Sequence, residues 1–214
     1  MPRFSADVLQ CLLDDMDRIV CSYHADVGRT GRNVADLIPG TSFFPGGTGL
    51  WRGNAYFGSI PLYFPELPVM LIGHNFDSIK AHGISQAKGG EVGSEFWKRL
   101  LGYLREAYLP PENCFFSNAL MGLKPGSALG PMPSVPGYEE QCQAFLLRQI
   151  EIVAPRAIVA LGGKASERIR RAAPKIPWMH AMHPSARELA PLSTRCQQIT
   201  AQGSAIKSFL TALR

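Results

Sequence analysis

The chain has 214 residues, of which 46% are hydrophobic, and this suits one α/β domain with additions around a single core. Two full domains would be cramped within this length. The net charge of +5 is compatible with a partner that carries phosphates, although such a surplus is common among proteins that never meet nucleic acid.

The cysteines are five in number, scattered, and without a C-x-x-C pair. This pattern argues against a disulfide framework, a zinc site and an iron–sulfur site. No apolar run approaches the roughly 20 residues that cross a bilayer. We therefore expect a soluble protein of a reducing compartment.

The first 67 residues differ in composition from the rest of the chain. Apolar residues recur every three or four positions over residues 4–23, which predicts an amphipathic helix. Residues 30–68 are rich in Gly, Pro and aromatic residues and predict loops with one short hairpin around residues 55–64. We expect residues 1–67 to form a helix-and-loop extension packed on a core domain of residues 68–214.

The second part of the chain alternates short apolar runs with helical patterns. Helices are predicted over residues 93–109 and 138–153, where Pro110–Pro111 and Pro155 end them. This alternation is typical of a three-layer α/β/α fold with a central four-stranded parallel sheet. The predicted strands are residues 69–72, 114–118, 157–161 and 177–182.

Polar residues follow three of these four runs, where a ligand of a parallel α/β sheet binds. We expect them to gather at one edge of the sheet. The residues in question are Gly73, His74, Asn75 and Asp77 after the first run, Ser117 and Asn118 at the end of the second, and His183, Ser185 and Arg187 after the fourth.

Each of these residues also has an ordinary structural interpretation. Asp77 or Ser78 would cap the next helix, and a single His or Asn is more often an interior group or a turn residue. The turn Gly162–Gly163–Lys164 lacks the upstream Gly of a phosphate loop, which favours a helix start. His183 and Ser185 lie on one loop without a G-x-S-x-G elbow, a poor geometry for a hydrolase triad. The agreement between several strand ends, rather than any single residue, indicates a site.

Two motifs in this region resemble those of the uracil-DNA glycosylase superfamily. "LIGHNFDS" is similar to its first motif, and "HPSAR" at 183–187 is similar to its second. The segment between them, which contains "FFSNALMGLKPG" and "VALGGKA", is similar in order and spacing to the bacterial branch. The resemblance covers residues 68–187 and identifies the chain as a divergent bacterial member, whereas residues 1–67 match nothing in the family.

The resemblance implies roles for individual residues. Asn75 falls on the position that handles the attacking water, and Asn118 falls on the residue that reads uracil. His183 would stabilise the departing base as a neutral imidazole. Gly73 and His74 would line the substrate pocket, while the loop with Pro184 and Ser185 would enter the DNA, together with Arg187 as a wedge or a plain phosphate contact. Lys124 and Lys164 would supply further phosphate contacts.

The first motif departs from the family pattern. Phe76 and Asp77 follow Asn75 where family members have Pro, and no stacking aromatic lies between residues 84 and 92. Phe76 would then stack on the base, and Phe76 or Asp77 would form the wall at C5. Two other roles are open to Asp77, a helix cap and a carboxylate that has taken over as general base. Asn75 together with Arg187 also resembles the single-strand-selective monofunctional branch.

The function implied is that of a monofunctional glycosylase in base excision repair. It would flip uracil out of DNA and hydrolyse the N-glycosidic bond without metal or cofactor, leaving an abasic site. We expect a monomer in the bacterial cytoplasm, associated with the nucleoid and not with a membrane. Two alternatives stay open, a hypoxanthine- or xanthine-directed glycosylase and a catalytically silent module that binds DNA or protein.

Overall fold

A computed structural model describes residues 32–33, 67–75, 95–120, 122–123, 137–172, 174–186 and 192–213. The predicted helix over 4–23 and the predicted hairpin around 55–64 lie outside these residues. The same holds for four candidate site residues, Phe76, Asp77, Lys124 and Arg187.

The core of the fold is a parallel sheet of four strands. Its strands are β2 (Val69–Gly73), β3 (Cys114–Asn118), β5 (Ala157–Leu161) and β6 (Trp178–Ala181). Across the sheet they lie in the order β3-β2-β5-β6. The predicted parallel sheet is thereby confirmed, with strand bounds that agree to within one residue at each end. A second pairing was not predicted: β1 (Arg32–Asn33) runs antiparallel to β4 (Gly122–Leu123), so the N-terminal region touches the segment after β3.

Four helices are present in the described part of the chain, α1 (Glu95–Glu106), α2 (Tyr138–Val153), α3 (Gly163–Ala172) and α4 (Leu192–Thr211). The bounds of α2 match the prediction. By contrast, α1 ends three residues earlier than predicted, because Tyr108 adopts a positive φ of 52° and the Leu109 N–H turns back to the Leu104 carbonyl. α4 was not predicted from the sequence.

The helices cover both faces of the sheet. On one face α1 packs closely against α4, and on the other α3 packs on β5 and beside α2. Glycines permit the α1–α4 approach, since a Cβ at Gly203 would lie 2.3 Å from the Cβ of Glu106, and one at Gly102 would lie 2.8 Å from Ile199. This arrangement confirms the three-layer α/β/α architecture.

Burial explains why the strands read as apolar runs. All residues of the central strands β2 and β5 are buried, as expected for a sheet covered on both faces. The edge strand β6 is more open, because Trp178 and Met179 are only partly buried and His180 is exposed.

The strand order places a topological switch between β2 and β5. From β2 the chain moves outward to β3, and from β3 it crosses back to β5 on the other side of β2. Ligands of open parallel sheets bind beyond the carboxyl ends of the strands at such a point. The residues after Gly73 and Leu161 therefore border the expected crevice.

Candidate functional site

The carboxyl ends of β2 and β3 are held together by their backbones. Gly73 pairs with Asn118 in the parallel register. Beyond the strands, the Ala119 N–H donates to the Gly73 carbonyl at 2.9 Å and the Leu120 N–H donates to the His74 carbonyl at 2.8 Å. These bonds continue the pairing past the strand ends, so that the positions of His74 and Asn118 are coupled.

The side chain of Asn118 lies directly over Gly73. A Cβ built on Gly73 would be 2.4 Å from Oδ1 of Asn118, a distance that real Cβ contacts essentially never show. Because Gly73 has no side chain, the amide of Asn118 can occupy this space. Asn118, His74 and Asn75 are all partly exposed at the strand ends.

A second glycine supports the end of β6. Gly162 follows β5 with a φ of +92°, and its N–H donates to the Ala181 carbonyl at 2.7 Å. A Cβ at this position would approach the Cβ of His183 to 2.9 Å. Next to it, α3 begins at Gly163, which confirms that the Gly162–Gly163–Lys164 turn is a helix start, and Lys164 is exposed there.

The imidazole of His183 is held in one orientation by its own loop. The Ser185 N–H donates to Nδ1 of His183 at 3.1 Å, and the Ala186 N–H donates to the His183 carbonyl at 2.9 Å. Since Nδ1 accepts a hydrogen bond, the neutral ring carries its proton on Nε2. Burial lowers the pKa of His183 below its ordinary value, which favours this neutral form.

An ion pair lies on the opposite side of the sheet from α1. Arg168 of α3 contacts Glu139 in the first turn of α2 at 2.6 Å. The hydrogen bond from Arg168 is the main cause that lowers the pKa of the Glu139 carboxyl, and the nearby His74 ring adds a smaller part. This pair braces α2 against α3 close to the end of β2.

Comparison with known proteins assigns the chain to a family. Residues 60–202 match the family model of the Uracil DNA glycosylase superfamily, and this range contains both motifs and the whole parallel sheet. The chain belongs to this superfamily. None of the curated proteins compared with the chain matches it. Superfamily membership supports a DNA glycosylase that hydrolyses N-glycosyl bonds and acts in base excision repair on DNA.

The structure brings together some of the site residues that were predicted from the sequence. Gly73 and Asn118 are in contact, with His74 and Asn75 directly after Gly73, while Pro184 is buried and Ser185 is exposed in the loop of His183. Among the helices in the described ranges, none has the length and apolar character required to cross a membrane.

Three residues near His183 were missed by the sequence analysis. The ring of Phe96 lies 5.3 Å from the His183 ring between centroids, and Nη1 of Arg99 donates to the Pro184 carbonyl at 2.9 Å. Oε1 of Gln202 accepts from the Met182 N–H at 2.9 Å. No local signal could have found them, because the contacts join residues far apart in the chain, such as Arg99 and Pro184, which are 85 residues apart.

Proposed function

We propose that this member of the superfamily removes uracil from DNA by hydrolysing the N-glycosidic bond and leaves an abasic site. The observation that carries the proposal is a pair of fixed hydrogen-bonding groups at the carboxyl ends of β3 and β6, the two outer strands of one parallel sheet. They are the amide of Asn118 over Gly73 and the Nε2–H of His183. The first can read a pyrimidine edge and the second can stabilise a departing base.

Base reading is assigned to Asn118. Uracil offers O4 as an acceptor and N3–H as a donor, so an amide held in one orientation satisfies both. Cytosine presents the reverse pattern and would leave buried polar groups unpaired, which can discriminate by roughly 10⁴ or more. The contact between Asn118 and Gly73 supports this role, because it limits the orientations of the amide. Phe76 is assigned to the wall at C5 that excludes the methyl group of thymine.

Stabilisation of the leaving group is assigned to His183. Cleavage of the glycosidic bond develops positive charge on the sugar and negative charge on the base. A neutral imidazole that donates from Nε2 to uracil O2 offsets the negative charge without first giving up a proton. The lowered pKa of His183 supports this assignment, since burial favours the neutral ring over the charged one.

Orientation of the attacking water is assigned to Asn75. Its side-chain amide cannot act as a base, so it only orients this nucleophile. An oxocarbenium-like transition state needs little base assistance, so orientation suffices. Asp77 is the alternative general base if the altered motif has moved this role along the chain.

DNA contacts are assigned to the loop of His183 and to nearby cations. Base flipping costs a few kcal/mol, and the protein must hold both the phosphates and the gap. The loop segment with Pro184 and Ser185 would run along a DNA strand, and Arg187 would fill the gap that the flipped base leaves. Lys124 and Lys164 would bind phosphates. We expect the active protein to be a monomer, with residues 1–67 as an extension of one compact domain.

One assay tests the proposed function. Purified protein is incubated with single- and double-stranded oligonucleotides that contain uracil, hypoxanthine, xanthine or only normal bases, and abasic sites are then cleaved with alkali. His183→Ala protein purified in parallel controls for a contaminating glycosylase. We expect scission at uracil alone. Preferred scission at hypoxanthine or xanthine would replace uracil with a deaminated purine, and a gel shift without abasic sites would identify a binding module.

A further inference from the structure

Two helices, α1 and α4, each form a hydrogen bond with the backbone of the segment Met182–Ala186. Neither helix is part of the two family motifs. On one side, Arg99 of α1 donates to the Pro184 carbonyl at 2.9 Å. On the other, Gln202 of α4 accepts from the Met182 N–H at 2.9 Å. The residues on both sides of His183 are therefore fixed through their backbones.

Arg99 is unusual among the cations of α1 because it is largely removed from water. Its side chain is 16% exposed, whereas the side chain of Arg105 on the same helix is 78% exposed. Within the described ranges, the carboxylate that pairs with Arg99 is Glu95, whose Oε2 is 3.8 Å from Nη2 of Arg99, a loose pairing for a desolvated cation. The Pro184 carbonyl is thus its closest acceptor among the described residues.

The same face of α1 also contacts the imidazole itself. Phe96, three residues before Arg99 and on the same side of the helix, lies 5.3 Å from the His183 ring with a tilt of 46°. Gly162, at the end of β5, comes so near that a Cβ built on it would lie 2.9 Å from the Cβ of His183. The His183 ring therefore lies between Phe96 and Gly162, while its backbone is held on either side through Met182 and Pro184.

We propose that Arg99 and Gln202 are positioning residues that hold the loop of His183 so that its Nε2–H points at the leaving base. The inference rests on the proposed function, since it gives that donor its orientation. Neither residue touches the substrate in this proposal. Its physical basis is that a misplacement of about 1 Å in a reacting group can reduce a rate roughly 10²-fold.

Arg99→Ala tests the hydrogen bond from α1 to the Pro184 carbonyl. We expect the single-turnover rate on a uracil oligonucleotide to fall about 10- to 100-fold, while the Kd for product DNA with an abasic site changes less than about threefold. Arg99→Lys keeps one donor and should recover most of the rate. Arg105→Ala removes the same charge from an exposed position of the same helix and should stay within about twofold of wild type.

Gln202→Leu independently removes the hydrogen bond between α4 and the Met182 N–H. Gln202→Glu keeps an acceptor for this N–H. The leucine variant should lose rate as Arg99→Ala does, and the glutamate variant should retain more of it. If Arg99→Ala does not fold, Arg99→Lys compared with Arg105→Ala and the two Gln202 variants decide the question.

The ¹⁵N shifts of the His183 imidazole provide a readout that does not require activity. In wild type and Arg105→Ala they should report a neutral ring protonated at Nε2, and in Arg99→Ala they should report a mixture of tautomers. Wild-type rates and shifts in Arg99→Ala would overturn the inference. A weaker Kd with an unchanged rate would overturn it too and assign Arg99 to DNA binding. A wild-type protein that spares uracil would refute the proposed function, while these shifts would still decide whether Arg99 orders the loop.

Discussion

At the scale of single residues, the site depends on a missing side chain. A Cβ at Gly73 would lie 2.4 Å from Oδ1 of Asn118, whereas a Cβ at Gly163, after β5, would meet no atom within 4 Å. Gly73→Ala should therefore displace the Asn118 amide and reduce uracil excision roughly 10²-fold, and Gly163→Ala should be mild. Single-turnover rates on uracil DNA, with thermal unfolding as a check on folding, measure both. Full activity in Gly73→Ala would remove Asn118 from base reading.

His183 predicts an acid limit to activity. Burial lowers its pKa below the ordinary value of 6.5, so the neutral donor persists at pH 7 and is lost only at pH values below 6.5. In the same window the unfolded chain binds more protons at this residue than the folded chain, so the His183 contribution to stability also falls as pH decreases. His183→Ala should reduce the rate by about 10²–10³ and abolish this acid limb.

Uracil-excision rates of wild type and His183→Ala, measured between pH 4.5 and 8, would show this acid limb of the pH–rate profile. A midpoint above 6.5, or an acid limb that His183→Ala retains, would assign the titration to another group.

The first motif predicts how water is handled. If Asn75 only orients water, Asn75→Asp should keep or raise the rate, Asn75→Ala should lose about 10- to 10²-fold, and Asp77→Asn should be mild. If Asp77 is the general base, Asp77→Asn should cost about 10²–10⁴. Single-turnover rates of the three variants on one uracil substrate separate the two cases. An inactive Asp77→Asn beside an active Asn75→Ala would contradict the role given to Asn75.

At the scale of elements, the loop of His183 depends on how α1 and α4 pack. Gly203 of α4 has no room for a methyl group, because its Cβ would lie 2.3 Å from the Cβ of Glu106 and 2.8 Å from the Tyr103 carbonyl. Ala gains about 1 kcal/mol over Gly in helix propensity, but forcing two helices apart costs typically about 1–3 kcal/mol. Gly203→Ala should therefore lower the free energy of unfolding, whereas Ser204→Ala, at an exposed neighbour, should not.

Urea unfolding measures this effect. Since Gln202 precedes Gly203 and bonds the Met182 N–H, Gly203→Ala should also lower the excision rate in conditions where the protein remains folded. An equal or greater stability of Gly203→Ala would contradict the close approach of the helices.

For the whole molecule, local sequence patterns predicted the four sheet strands, two of the helices and the family. Strands and helices follow from local periodicity and from Pro and Gly at their ends, which is why the bounds of β3, β5 and α2 agree with prediction. The two motifs and the match over residues 60–202 indicate the same superfamily. By contrast, the end of α1 and the whole of α4 escaped prediction, because a positive φ at Tyr108 and packing against α1 decide them.

The strand order and the supports of the site depend on contacts between distant parts of the chain. The order β3-β2-β5-β6 reflects how the crossovers pack, which no local pattern encodes. The contact of Asn118 with Gly73, the contact of Gly162 with His183 and the bond from Arg99 to Pro184 join residues far apart in the chain. Periodicity reports which face of an element is buried, whereas the partner that buries it depends on the folding of the whole chain.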